Sequence, residues 1–222
     1  MTRPAACLFD LDGLLLDTEP LHGQAWQQAA RHFGADLGDG DLLQLRGRRR
    51  LECSQQVRRW IREQGLEAPS DTELLAVRQP IADALMLQAP PIPGARQLLE
   101  RCSALGIPMA LATSSSKEAV AHKSAPHSWL AVIDVRVHGD DPELGAGKPA
   151  PDPYLLAARR LAVDARRCWA FEDSPAGAQA AAAAGCTVHV LLPSDQIHAC
   201  LIRERLPADC RILQSLDQVL IR

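Results

Sequence analysis

The chain has 222 residues, of which 47% are apolar, and its 24 Lys and Arg against 27 Asp and Glu leave a formal net charge of −3. This near balance, with an aromatic content of only 4%, argues against a dedicated nucleic-acid binder. No apolar run approaches the roughly 20 residues of a membrane helix, and the first residues lack the apolar stretch of a signal peptide. We therefore expect a globular protein with no nucleic-acid or membrane partner.

Four short apolar runs, each followed by turn residues, predict strands that are buried on both faces. They lie at residues 6–9, 109–112, 168–171 and 187–191. Helical patterns separate the later runs, at residues 95–105, 153–161 and 175–184. The last helix is well delimited, because Ser174 can cap its start, Pro175 suits its first position and Gly185 can end it. This alternation indicates an α/β fold with a doubly wound, Rossmann-like parallel sheet.

The segment from about residue 21 to residue 86 follows a different pattern. It is helical by apolar spacing at residues 22–33, 51–64 and 72–87, and it contains no comparable strand pattern. The Pro-rich stretch that follows, residues 88–94, is typical of a stiff linker. We predict an α/β core of residues 1–17 and 88–222, interrupted by an all-α insert of residues 18–87.

The cysteine pattern indicates a reducing compartment. Seven cysteines are an odd number at scattered spacings, and no Cys-x-x-Cys pair suggests a zinc or redox site. We expect them to act as small buried apolar side chains, which favours a cytoplasmic location. They are Cys7, Cys53, Cys102, Cys168, Cys186, Cys200 and Cys210.

Two carboxylates follow the first predicted strand, at Asp10 and Asp12. The carboxyl edge of a parallel sheet is where open α/β folds bind ligands. In extended backbone these two side chains share a face, so their charges would repel and require a cation or a shared proton. Mg²⁺ fits, since it is often bound by one or two carboxylates together with substrate phosphate. An ordinary solvated Asp-Gly turn is the alternative.

Three further segments carry polar side chains near predicted strand ends. The hydroxyls and amides at Thr113, Ser114 and Ser115 suit phosphate oxygens, although hydroxyl-rich turns are common. Lys148 lies in a Pro-rich loop, where it is either a fixed cation or a solvated side chain. Glu172 and Asp173 precede a helix, where they either bind a metal or complement the helix dipole.

These four segments, in this order, resemble the motifs of the haloacid dehalogenase superfamily of hydrolases, and the resemblance covers nearly the whole chain. The sequence Asp-Leu-Asp-Gly at residues 10–13 matches the first motif, and Thr113 the second. Lys148 matches the third, and Glu172 with Asp173 the fourth. The helical insert is similar to the cap domain of the subgroup that includes phosphoglycolate phosphatase and β-phosphoglucomutase.

The resemblance implies a mechanism through an aspartyl phosphate. Asp10 would be the nucleophile, and Asp12 would protonate the leaving alcohol and then deprotonate the attacking water. Mg²⁺ would be held by the Asp10 carboxylate, the Asp12 backbone carbonyl and Asp173, with Glu172 nearby or as a direct ligand. Thr113 and Lys148 would contact the phosphoryl oxygens, together with Ser115 and with turn amides that include those of Leu11 and Ser114.

Asp12 distinguishes phosphoryl transfer from dehalogenation within this resemblance. Family members that displace halide from carbon need no acid for the leaving group and lack this second aspartate in the family pattern. The alkoxide that leaves a phosphate ester does need a proton. Asp12 therefore favours phosphate-ester chemistry in this chain.

In β-phosphoglucomutase-like members, a histidine after the first motif and a basic cap loop face the substrate. Here His22 and residues 46–50 match that pattern approximately. The candidates for substrate binding in the insert are Glu19, His22, Arg46 and Arg50. A structural histidine, and a solvated turn or a nucleic-acid patch at residues 46–50, are the alternatives.

Three hypotheses follow for the activity. The first is a Mg²⁺-dependent phosphatase that acts on a small phosphorylated metabolite, plausibly a sugar phosphate. The second is a β-phosphoglucomutase-like isomerase that returns the phosphoryl group to a sugar hydroxyl. The third, a non-catalytic binding protein, is disfavoured because every motif residue is present. The resemblance to the family also implies that the protein is a monomer.

Overall fold

A computed structural model describes residues 3–45 and 50–221. It contains a six-stranded sheet with the strand order β3-β2-β1-β4-β5-β6, and every neighbouring pair runs parallel. The strands are β1 (Ala6–Phe9), β2 (Met109–Ala112), β3 (Val135–Val137), β4 (Cys168–Glu172), β5 (Thr187–Leu191) and β6 (Arg211–Leu213). The predicted α/β class with a doubly wound parallel sheet is thereby confirmed.

In the part of the chain that is described, four consecutive helices follow β1 without an intervening strand, and a fifth precedes β2. After β2, helices and strands alternate. In chain order they are α1 (Glu19–His32), α2 (Asp39–Leu45), α3 (Arg50–Glu63), α4 (Asp71–Met86), α5 (Ala95–Ala104), α6 (Lys117–Ser124), α7 (Asp152–Arg160), α8 (Pro175–Ala183) and α9 (Gln196–Arg203). In the described ranges, no helix has both the length and the apolar character to cross a membrane.

The central strands are buried, as expected for a parallel sheet whose crossover helices cover both faces. Every residue of β1, β2 and β4 is buried. Small residues of α7 and α8, such as Ala157 and Ala180, belong to the same apolar cluster as Leu8 of β1. Their small size allows close approach of helix and sheet.

The described chain divides into two compact units. The first comprises Met1–Leu16 and Pro90–Arg222 and contains the sheet. The second, Asp17–Ala89, has its own apolar cluster, which includes Trp26, Val57 and Leu74. Its described residues contain helices and no strand.

Some elements differ from the sequence prediction. The helix predicted at residues 22–33 begins earlier, at Glu19, because Pro20 occupies its first turn, where proline is tolerated. Strands β3 and β6 and helices α2, α6 and α9 were not predicted. The two strands have three residues each and are only partly buried, so they carry no continuous apolar run.

The cysteines only partly match their predicted role. Five of the seven are buried and none is in a disulfide, but Cys200 is exposed and Cys210 is half-buried.

The register of the central strands decides where the site forms. Phe9 of β1 pairs with Leu111 of β2 on one side and with Phe171 of β4 on the other. The two phenylalanine rings stack with centroids 4.9 Å apart. The residues that follow these three positions therefore emerge together at the carboxyl edge of the sheet, where the strand order reverses.

Candidate active site

Asp10 is the first residue after β1, and it is buried against the end of β4. Its backbone N–H donates to the Phe171 carbonyl over 3.1 Å, which extends the strand pairing by one step. Burial raises the pKa of its carboxyl to about 7, an effect that Lys148 opposes and that Glu172 and Asp12 reinforce. A carboxylate in this position requires positive charge beside it.

Lys148 supplies part of that charge. Its Nζ lies 2.6 Å from Asp10 Oδ1 and 2.5 Å from Glu172 Oε1, and its side chain is only 5% exposed. Burial alone lowers the pKa of the ammonium, but the two carboxylates raise it above its ordinary value. The lysine therefore stays charged, between two acidic groups from neighbouring strand ends.

Glu172 is fully buried at the end of β4, and both of its oxygens already accept hydrogen bonds. Oε1 accepts from Lys148 and from the Tyr154 hydroxyl, which lies 2.6 Å away. Oε2 accepts from the Ser174 hydroxyl over 3.0 Å and from the Asp173 amide over 3.2 Å. Tyr154 was missed by the sequence analysis, because it lies in a helix whose pattern indicates only core packing.

Asp10, Glu172 and Asp173 form a cluster that could hold a metal, with one carboxylate oxygen from each lying within 4.8 Å of the others. Two glycines make room for it. A Cβ on Gly13, which has φ +80°, would meet Asp173 Oδ2 and would lie 2.7 Å from Asp173 Cγ. A Cβ on Gly177 would overlap the Glu172 carboxylate. Neither position accommodates a larger residue without displacing an acid of the cluster.

Asp12 is held by a second buried lysine, which the sequence analysis did not single out. Lys123 Nζ lies 2.6 Å from Asp12 Oδ1 and 2.5 Å from Oδ2. The Ser115 hydroxyl donates to Asp12 Oδ2 over 2.8 Å and accepts from Lys123 Nζ over 2.8 Å. Ser115 is predicted from the sequence to bind phosphate, but in this structure its hydroxyl contacts Asp12.

The charges of this edge of the sheet fit a divalent cation. The carboxylates of Asp10, Asp12, Glu172 and Asp173 face the ammonium groups of Lys123 and Lys148. With every group ionised, four carboxylates and two ammonium groups leave a formal charge of −2, which one divalent cation would neutralise. The donors are all oxygen, the ligand type that Mg²⁺ prefers.

The predicted phosphate-binding turns adjoin this cluster. Thr113 directly follows β2 and is 2% exposed, and its Oγ1 accepts the Ser115 amide over 3.1 Å. Ser114 between them is exposed. Leu11, which lies between the two aspartates, is buried, and its carbonyl accepts the amides of residues 15 and 16. The structure therefore places both turns at the end of adjacent strands.

The structure describes three of the four residues of the insert that are predicted to contact substrate. Glu19 begins α1, and one turn later His22 Nδ1 lies 2.9 Å from Nη2 of Arg78, a buried residue that was not predicted. Arg50 begins α3 and is exposed. Arg46 lies outside the described residues.

Comparison with known proteins gives a consistent result. A model of the haloacid dehalogenase-like hydrolase family matches residues 4–185. The (DL)-glycerol-3-phosphatase 1, mitochondrial, of Arabidopsis thaliana is 32% identical over 195 residues, which are 86% of this chain and 64% of that protein. The chain thus spans less than two thirds of that relative.

Two further similarities cover nearly the whole chain. The probable pseudouridine-5′-phosphatase of Drosophila melanogaster is 36% identical over 215 residues, 95% of this chain and 89% of that protein. The crystal structure of a haloacid dehalogenase family hydrolase from Deinococcus radiodurans, with bound phosphate and sodium, matches with a TM-score of 0.80. That match has 28% identity and covers 98% of this chain and 94% of the other.

Proposed function

The chain belongs to the haloacid dehalogenase-like hydrolase family, within which we propose that it is a Mg²⁺-dependent phosphatase of a small phosphorylated metabolite. The proposed substrate is a sugar or polyol phosphate, and the proposed intermediate is an aspartyl phosphate on Asp10. The observation that carries this proposal is the buried Asp10 carboxylate, which contacts Lys148 beside two further acids at the sheet edge.

Asp10 and Lys148 are suited to the first step. A carboxylate oxygen of Asp10 would attack phosphorus while the bond to the leaving oxygen breaks, so that one difficult displacement becomes two easier ones. Lys148 already donates to Asp10 Oδ1, so its ammonium lies where it could bind a phosphoryl oxygen next to the attacking atom. With the Thr113 hydroxyl and the turn amides, it would align the phosphoryl group and offset its charge.

Asp12 is suited to the proton transfers. It would donate a proton to the leaving alkoxide and then accept one from the water that hydrolyses the intermediate. Such help is typically worth about 10²- to 10⁴-fold in rate. Its side chain is 22% exposed, so it remains accessible to a substrate.

The metal would be held by the Asp10 carboxylate, the Asp12 backbone carbonyl and Asp173. When bound, Mg²⁺ would offset the negative charges of these carboxylates and of the substrate phosphate. Because Lys148, Tyr154 and Ser174 already occupy the Glu172 oxygens, we propose that Glu172 fixes Lys148 and is not a direct ligand.

The substrate class draws support from the names of the relatives. One is a glycerol-3-phosphatase and another a probable pseudouridine-5′-phosphatase, and both names specify a phosphate ester of a small polyhydroxylated compound.

The experiment is phosphate release from a panel of sugar and polyol phosphates in the presence of Mg²⁺. We expect wild type to be active and Asp10→Asn to lose at least about 10³-fold in kcat, because the amide is a poor nucleophile. Exposed Asp134 gives a matched control, and Asp134→Asn should retain full activity. Activity that survives in Asp10→Asn would overturn the nucleophile assignment.

The same panel separates the alternative activities. With β-glucose 1-phosphate and a trace of the bisphosphate, glucose 6-phosphate would identify the phosphoglucomutase-like isomerase. Free phosphate with glucose supports the phosphatase. A folded wild-type protein that releases phosphate from no member of the panel and forms no glucose 6-phosphate would favour the non-catalytic hypothesis.

A further inference from the structure

We propose that Lys123 is a positioning residue for proton transfer: with the Ser115 hydroxyl, it holds the Asp12 carboxylate in the orientation from which Asp12 exchanges a proton with the substrate. This inference rests on the proposed function, since it assigns Lys123 a task within that reaction. It adds a residue from α6, well outside the four motifs.

The contacts of Lys123 form a closed set. A lysine ammonium has three N–H donors and no acceptor. In this structure the three are accounted for by Asp12 Oδ1, Asp12 Oδ2 and Ser115 Oγ, at 2.5–2.8 Å. The Ser115 hydroxyl in turn donates to Asp12 Oδ2. No donor of Lys123 is left for a phosphoryl oxygen, so its role differs from that of Lys148.

One short segment of chain delivers both holding groups. Ser115 lies in the turn after β2, and α6 begins two residues later. The Ser116 hydroxyl caps this helix by accepting the Ala119 amide over 3.2 Å. About two helical turns then bring Lys123 back toward the same carboxylate, which belongs to the loop after β1. The contacts of Ser115 and Lys123 with Asp12 therefore depend on the same turn after β2 in which Thr113 lies.

Burial makes a purely stabilising role a poor explanation for this lysine. The Lys123 side chain is 6% exposed, and lysine is almost never buried unless it is paired. A buried ion pair usually contributes little net stability, because desolvation offsets the attraction. Lys123→Met removes only the ammonium, but the Asp12 carboxylate is 22% exposed and keeps the Ser115 hydroxyl as a donor. We therefore expect this variant to fold, which makes the proposal testable.

The test compares two leaving groups in Lys123→Met. p-Nitrophenolate leaves as a stable anion, whereas the alkoxide of glycerol phosphate requires a proton. The ratio kcat/KM covers the steps up to release of the alcohol and excludes hydrolysis of the intermediate. We expect kcat/KM to fall at least about tenfold for glycerol phosphate and less than about threefold for p-nitrophenyl phosphate.

Lys117 provides the matched control, since it is an exposed lysine at the start of the same helix. Lys117→Met should leave both values of kcat/KM unchanged. A second expectation concerns the pair with Asp12. In Asp12→Asn, adding Lys123→Met should cause little further loss for glycerol phosphate, because residues that act as one unit are not additive.

Equal losses for the two esters, or additive losses in the double variant, would show a structural role and overturn the proposal. If Lys123→Met has no cooperative thermal transition, Ser115→Ala removes the other holding group, and the same preferential loss for glycerol phosphate is required of it. The proposed function fails separately, namely if wild type hydrolyses neither ester or if Asp12→Asn affects both equally.

Discussion

At the scale of single residues, the positions of the acidic side chains at the sheet edge depend on neighbours that donate hydrogen bonds to them or that lack a side chain. Glu172 is an example, since Tyr154 is buried and its hydroxyl donates to Oε1 over 2.6 Å. Burial raises the pKa of this phenol, and the adjacent Glu172 charge raises it further, so the hydroxyl keeps its proton and remains a donor.

We predict that Tyr154→Phe lowers the free energy of unfolding by about 1.5–3 kcal/mol, because a hydrogen bond to a charged group is lost without a change of shape. The measurement is urea denaturation at neutral pH. A variant as stable as wild type would show that the hydroxyl contributes nothing to holding Glu172.

Gly13 offers a second test at this scale, since a Cβ there would overlap Asp173. We predict that Gly13→Ala raises the Mg²⁺ concentration needed for half-maximal activity at least about tenfold, because Asp173 must move. Gly65 is the control: its φ of +76° is similar, but nothing lies within 4 Å of its Cβ position. If Gly65→Ala shows the same change in metal dependence, backbone strain rather than the collision is responsible.

The sequence indicated the residues that lie beside strand ends, such as Asp10 and Glu172, because apolar runs mark those ends. It did not indicate Lys123 or Tyr154. Both lie in helices whose patterns suit ordinary packing, and Lys123 is 111 positions from the aspartate that it holds. Such a pairing depends on strand order and register, which a local pattern does not contain.

At the scale of elements, α8 joins the metal cluster to the sheet. Ser174 caps this helix by accepting the Gly177 amide over 3.1 Å, and it also donates to Glu172. Ser174, Pro175 and Gly185 were predicted as the delimiters of α8, and its first position and serine cap are confirmed. The closeness of Gly177 to Glu172 was not predictable, since it results from helix-to-strand packing.

A glycine-to-alanine change within a helix normally stabilises it by about 1 kcal/mol. We predict the opposite sign for Gly177→Ala, with lower stability and impaired turnover, because the new methyl group would overlap the Glu172 carboxylate. Gly40 in α2 is the comparison, since its Cβ position has no neighbour within 4 Å. Thermal denaturation of both variants decides the matter, and a stabilised, fully active Gly177→Ala protein would contradict the placement of Glu172.

At the scale of the whole molecule, the near-neutral composition conceals a strongly charged sheet edge and a buried histidine that responds to pH. His189 of β5 is 5% exposed, and its ring stacks on Phe171 with centroids 4.8 Å apart. Burial lowers its pKa to about 4, and the nearby Arg211 charge acts in the same direction.

The contribution of His189 to stability should therefore decline in mild acid, against an opposite contribution from Asp10, whose pKa is raised in the folded state. An unfolded histidine has a pKa of about 6.5, so between that pH and about 4 the unfolded state binds a proton that the folded state does not. The free energy of unfolding should fall over this window by up to about 3 kcal/mol from His189 alone. In urea denaturation, lowering the pH from 7.5 to 5 should reduce the free energy of unfolding less for His189→Phe than for wild type. Parallel curves for the two proteins would exclude this residue as the cause.

The proposed mechanism depends most on the covalent role of Asp10, which one measurement tests directly. Borohydride reduces an aspartyl phosphate to homoserine, so the protein is quenched with it during turnover of p-nitrophenyl phosphate and Mg²⁺, and the peptides are sequenced by mass spectrometry. We predict homoserine at position 10 and at no other aspartate, and none when substrate is omitted. Reduction at a different residue, or sustained turnover with Asp10 left intact in the quenched protein, would contradict the proposed mechanism.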